Sequence, residues 1–232
     1  MRAMAQYHGR MVAVKPSKQL QLPYRGSGGD LLVFAPRFIA DRMKGFEKDI
    51  RICLTPVPAT HRDGQTHAYF PALAACCGAI EYLGALSIGN SIPIRKGLSR
   101  GHIQKFAHRY MAQPDYDGEA IRILWDVFRN GTAHHGITSG VWIDQHADQA
   151  DRRLTWAIDE RTVRPAVEVR EKVGTLTKHP PWDCPHTHVA TVRLGQLALD
   201  IRGAADRLVA DIEAGGKALE RFRTAMEVLY PK

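Results

Sequence analysis

Asp117 to Gly136 runs DGEAIRILWDVFRNGTAHHG. Ala120, Ile123, Leu124, Val127 and Phe128 recur at helical spacing, with Asp117 placed as an N-cap and Gly136 as a left-handed stop. Arg122, Asp126, Arg129, Asn130 and His134 succeed one another at helical steps, a pattern that predicts one polar face turned away from the core. Asn130 and His134 stand one turn apart and Arg129 is next to Asn130, so a guanidinium, an amide and an imidazole can converge on one anion. Arginine binds phosphate bidentately, and histidine, with an unperturbed pKa of roughly 6.5, exchanges a proton at neutral pH. The competing reading is that Asn130-Gly131 ends the helix as a turn and leaves both histidines in solvent.

Three helices are predicted upstream. Ile39, Met43, Phe46, Ile50 and Leu54 keep a helical period after Pro36, which suits a first turn, and Pro56 and Pro58 close it. A second helix spans Tyr69 to Ile88, with Phe70, Leu73, Cys77, Ile80 and Leu83 on one side and small residues (Ala72, Ala75, Gly78, Ala79) for close approach. A third lies around Gly101 to Met111. The expectation is a mainly α fold: a four-helix bundle over residues 31–140, preceded by a basic, extended arm over 1–30. In residues 141–232, Leu154–Ile158 and Pro165–Val169 read as a small β-hairpin through Asp159, Glu160 and Arg161. Two C-terminal helices come next, the first through Leu197, Ile201 and Leu208, the second through Phe222 and Met226. This part is expected to pack on the bundle as an appendage.

Glu81 is the one charged residue between Phe70 and Ile88. A carboxylate in so apolar a helix costs several kcal/mol unless paired, so it calls for a cation. Arg129 is the candidate, either within a site or as a purely structural pair that orients two helices.

Composition bounds the function. The chain has 232 residues, 44% hydrophobic and 24% charged, enough for a sizeable core under a polar surface. No run of apolar residues is read as reaching the roughly 18 that a membrane span needs, and the first residues lack the apolar stretch of a secretory signal, so a cytoplasmic protein is expected. Cys53, Cys76, Cys77 and Cys184 form no CxxC pair, in keeping with a reducing compartment.

The formal charge of +8 favours polyanionic partners. From Tyr82 to Pro114 there is no acidic residue, whereas Arg95, Lys96, Arg100, Lys105 and Arg109 are interleaved with Phe106 and Tyr110, the composition of an RNA-binding face. Arg2, Arg10, Lys15, Lys18 and Arg25 make the arm basic as well. Its Gly26-Ser27-Gly28-Gly29 stretch has no Gly-Lys-Ser/Thr ending and is not a phosphate loop. His179, Asp183, Cys184, His186 and His188 offer metal-ligand types, but alternate residues of an extended segment face opposite ways and three prolines suggest a rigid loop. Neither a metal nor a cofactor is expected.

Arg129-Asn130, three further residues and His134, late in a fourth helix, resemble the Arg-polar-x-x-x-His motif of HEPN domains. The resemblance implies a helical bundle that forms a homodimer with two motifs face to face. It further implies a metal-independent RNA endonuclease, found among toxin and defence systems, or a silent module that binds RNA, a nucleotide or a protein partner. Carried over, the catalytic residues are Arg129, His134, Asn130 and an assisting Glu81, with His135 as the alternative histidine.

Overall fold

The computed structural model describes residues 4–7, 10–13, 28–56, 68–89, 100–111, 114–130, 141–144, 152–176 and 184–230. These are mostly helical: six helices and a four-stranded mixed sheet surround one apolar core.

Helix α1 (Gly28–Leu54) turns Leu31, Ala35, Ile39, Met43 and Ile50 inward at helical repeats. It begins well ahead of Pro36, the residue its pattern assigned to the first turn. A proline inside a helix removes one backbone bond and costs about 3 kcal/mol. Leu31 and Ala35, both without exposed surface, hold the turn before it against the core and offset that cost. The expected boundary at residue 30 therefore falls inside α1. Upstream, β1 (Met4–Tyr7) pairs antiparallel with β2 (Arg10–Ala13), where an extended arm was expected.

Helix α2 (Tyr69–Ile88) has the bounds its pattern predicts and is buried throughout Leu83–Ser87. It packs against α1, α3 (Arg100–Tyr110), α5 (Leu194–Glu213) and α6 (Gly216–Leu229). This central place accounts for its composition. By length and a mean hydropathy of 1.5, α2 is apolar enough to cross a membrane, and here neighbouring helices supply much of the apolar surround. The two C-terminal helices are thus integral to the helical layer, not appended to it. The eleven-residue α3, together with α4 (Gly118–Arg122) and the seven helical residues that follow it, covers only part of α2, and buried Leu197, Ile201, Leu208, Phe222 and Met226 complete the core.

Gly89 caps α2 in the left-handed region (φ 66°), its N–H donating to the Ala85 carbonyl. A Cβ there would overlap the Arg221 backbone of α6. Gly89→Ala combines backbone strain with a clash that no rotamer relieves, so a loss of about 2–3 kcal/mol is expected. Gly215 has φ 80° but open space around it, and Gly215→Ala should cost less. Thermal melts of both variants check the order; equal midpoints would contradict it.

The predicted hairpin does not form. The sheet order is β3-β4-β6-β5, so β6 (Cys184–Arg193) separates β4 (Arg153–Asp159) from β5 (Val167–Leu176). β6 runs parallel to β4 and antiparallel to β5, with Leu154 opposite His188 and Val167 opposite Val192. From Cys184 to His188 the proline- and histidine-rich stretch that suggested a loop is therefore the start of a central strand, while His179, Pro180, Pro181 and Asp183 lie outside the described residues. Pro185 is tolerated at its second position, beyond the end of β4, while Ala190 and Val192 carry the buried face. β3 (Trp142–Ile143) is an edge of two residues.

Candidate functional site

Asp117 caps α4, its carboxylate accepting the Ala120 N–H at 2.8 Å. From Ile123 to Arg129 the helix continues as a π-helix, and the Asn130 N–H reaches back five residues to the Trp125 carbonyl. One extra residue in a turn shifts the residues beyond it by about 100° of helical phase. The expected single polar face is accordingly split.

Its three charged residues meet three different elements. Arg122 forms a two-point ion pair with Asp144 just past β3, at 2.6 and 2.8 Å. Asp126 accepts from Arg100 of α3 at 2.5 Å. Arg129 faces α2, with its Nη2 3.3 and 3.4 Å from the two Glu81 carboxylate oxygens and its Nη1 3.3 Å from the Asn130 side-chain oxygen.

The carboxylate of Glu81, anomalous in so apolar a helix, thus has a guanidinium partner. Both side chains keep about a quarter of their surface, 26% for Glu81 and 27% for Arg129, so the pair is half-buried instead of sealed. Its contacts are longer than the roughly 2.7–2.9 Å of a strong charge-assisted bond. An anion able to approach more closely can compete for Arg129. Cys77, one turn before Glu81, is a core residue: burial pushes its thiol up to about 12, with the Arg129 charge acting in the opposite direction. Cys76 is raised well above its ordinary value, again by burial, and neither is a ready nucleophile.

His134 and His135 lie outside the described residues, as do Arg95 and Lys96. The structure therefore places Arg129, Asn130 and Glu81 together and leaves the histidine position to the sequence. On α3, Lys105 is exposed, whereas Arg100 is committed to Asp126 and Arg109 to Asp211 at 2.6 and 3.2 Å. Tyr110 also donates to Asp211, and that bond together with the Arg109 pair holds the carboxyl below its usual range; burial foremost pushes the Tyr110 phenol up to about 12. The basic face is less cationic than its sequence suggests because its partners lie far along the chain.

Among the described residues, no group of three His, Cys, Asp or Glu side chains is placed to hold a metal ion. His186 is buried against Gly174, and His188 bonds Thr187 at 2.9 Å. A cavity of about 290 Å³ at the start of α4 is lined by Asp115, Asp117, Glu119 and Glu168. Those carboxylates already serve Arg164, the α4 cap, Arg152 and Arg193.

One charged cluster escaped the sequence reading. Asp144, its side chain without exposed surface, also lies 3.4 Å from Arg152, which in turn bonds Glu119. Asp144 sits in a mixed polar run with no periodicity to single it out. No family model, characterised protein or solved structure matches this chain.

Proposed function

We propose that the chain is a HEPN-like ribonuclease that cleaves single-stranded RNA by attack of a 2'-hydroxyl on the adjacent phosphate. The observation that carries this reading is Arg129, with about a quarter of its side chain exposed and aligned by Glu81 and Asn130 at the end of a π-helical turn, a geometry often found at functional sites. In the reaction the 2'-oxygen bonds to phosphorus and the P–O5' bond breaks. His134 takes the 2'-hydroxyl proton, a proton is returned to the departing 5'-oxygen, and Arg129 stabilises the charge on the crowded phosphoryl group. The helical layer is read as a HEPN-like bundle whose homodimer brings two such motifs together around RNA.

Purified protein should cut single-stranded RNA in the presence of a chelator, leave 2',3'-cyclic phosphate and 5'-hydroxyl ends, and spare DNA of the same sequence, which has no 2'-hydroxyl. Mass spectrometry of the products checks this. Binding without cutting would replace the enzyme reading with the second one, a silent module for RNA, a nucleotide or a protein partner. The pairing of Arg100 with Asp126 and of Arg109 with Asp211 leaves less free charge for a long polyanion, and within that second reading it favours a nucleotide or a protein partner over RNA.

A further inference from the structure

We infer that α3, α5 and α6 together form a cationic face for the phosphate backbone of single-stranded RNA, centred on Arg109, Arg207 and Arg221; this rests on RNA as the partner named in the ribonuclease reading. The face is built around Tyr110, the last residue of α3. Arg109 lies over the Tyr110 ring, 5.1 Å from its centre, and shares Asp211 of α5 with the Tyr110 hydroxyl. Arg207, one turn before Asp211, donates its Nε–H to the Tyr110 carbonyl at 2.6 Å. Arg221 of α6, whose backbone packs on Gly89, is near enough to the Tyr110 phenol to act on its ionisation. Lys105, exposed one turn before Arg109, extends the face along α3.

Most of this charge is left uncancelled. Arg207 bonds a neutral carbonyl, which orients the guanidinium without offsetting it, and neither Arg221 nor Lys105 has a carboxylate partner among the described residues. Asp211 thus offsets one of four cations. Asp206, the other carboxylate beside Arg207 in the chain, is turned to the opposite flank of α5, where it meets Arg202, itself bonded to Glu47 of α1. Among the described residues, no exposed large apolar side chain lies on α3 or α6, and α5 carries only Leu199, two turns before Arg207. A protein partner needs an apolar centre and a membrane surface needs apolar anchors, whereas a phosphodiester strand needs spaced cations. Arginine suits that role because its planar fork grips two phosphate oxygens. α3 also connects the face to Arg129: Arg100, at its far end, bonds Asp126 in the π-helical stretch that closes on Arg129. Arg100 and Arg109 stand about 14 Å apart along α3, on a helical rise of roughly 1.5 Å per residue.

The test measures binding of a short single-stranded RNA with methylated 2'-hydroxyls, which removes the attacking group and so prevents cutting, as a function of salt. For the wild type, log K should fall with log salt at a slope of about −2 to −3, the release of three or four counterions at roughly 0.7 each. Arg207→Gln and Arg221→Gln should each bring the slope about 0.7 closer to zero, and Arg207→Lys, which keeps the charge, should leave it unchanged. Lys105→Gln, at a side chain with no bond to lose, carries the measurement should an arginine variant fail to fold. Slopes unchanged in the folded variants, or no binding by the wild type, overturn the inference, whether or not unmodified RNA is cut. RNA bound with the expected slopes but never cut overturns the ribonuclease reading and leaves this face standing. Anionic lipid vesicles or polyglutamate bound more tightly than the RNA, with the same dependence on Arg207 and Arg221, assign the face to another partner and overturn it.

Discussion

Replacing His134 with alanine is expected to lower RNA cleavage by about 100- to 10,000-fold, the usual worth of a general acid or base. RNA binding should change far less, because a neutral imidazole contributes little to holding a polyanion. Arg129→Ala should act differently, weakening binding and rate together, since its guanidinium would meet the phosphate in the ground state as well as in the transition state. Arg129→Lys separates the two contributions: it restores charge near Glu81 but lacks the planar fork that grips two oxygens. Single-turnover rates and filter binding, measured on the same variants, check the division. A His134→Ala protein that cuts at the wild-type rate would leave His135 as the remaining histidine of the motif, and loss of activity in His135→Ala would then move the assignment by one residue.

Asp200→Ala should be among the most destabilising single changes in the chain. Asp200 lies within α5, 5% exposed, and accepts from the Tyr116 hydroxyl at 2.9 Å, Arg164 at 2.7 Å and Gln196 at 3.1 Å. Tyr116 is itself 2% exposed, and burial, then Asp200, pushes its phenol far above the ordinary range, so it stays a neutral donor in need of an acceptor. Removing the carboxylate takes from a buried phenol and a buried amide an acceptor that each uses, and leaves Arg164 with Asp115 alone of its two carboxylates. A buried partner lost in this way costs about 3–5 kcal/mol. In a chain of this size that lowers the melting midpoint by about 6–20 °C. Tyr116→Phe, which removes the donor together with its need, should cost much less. Calorimetry on the two variants decides the matter, and a similar shift for both would contradict the assigned acceptor role.

What the sequence made legible was local. The apolar run of α2 bounded itself, Asp117 announced its cap, and a solitary Glu81 pointed to a cation that proves to lie 3.3 Å away. What stayed hidden depended on distant partners. Arg100 and Arg109 looked like free surface charge because their carboxylates lie 26 and 102 residues further on. β4 and β5 looked like a hairpin because nothing local reveals that β6 inserts between them. The π turn was invisible for another reason: Arg122, Asp126 and Arg129 keep α-helical spacing in sequence, and only the backbone bond from Asn130 to Trp125 shows that their phase has shifted.

The central place of α2 has a consequence for how the chain comes together. On the ribosome this very apolar helix is finished long before synthesis reaches Leu194, where the first of the two helices that finally cover it begins. Until then α1 alone is available as a long partner, and much of the α2 surface must wait. The sheet imposes a similar delay, since β4 cannot find its parallel neighbour until β6 has been made. Nascent chains halted before α5 should therefore be the species that chaperones hold and that aggregate when released, although in the finished molecule 56% of the apolar stretch of the same helix is buried.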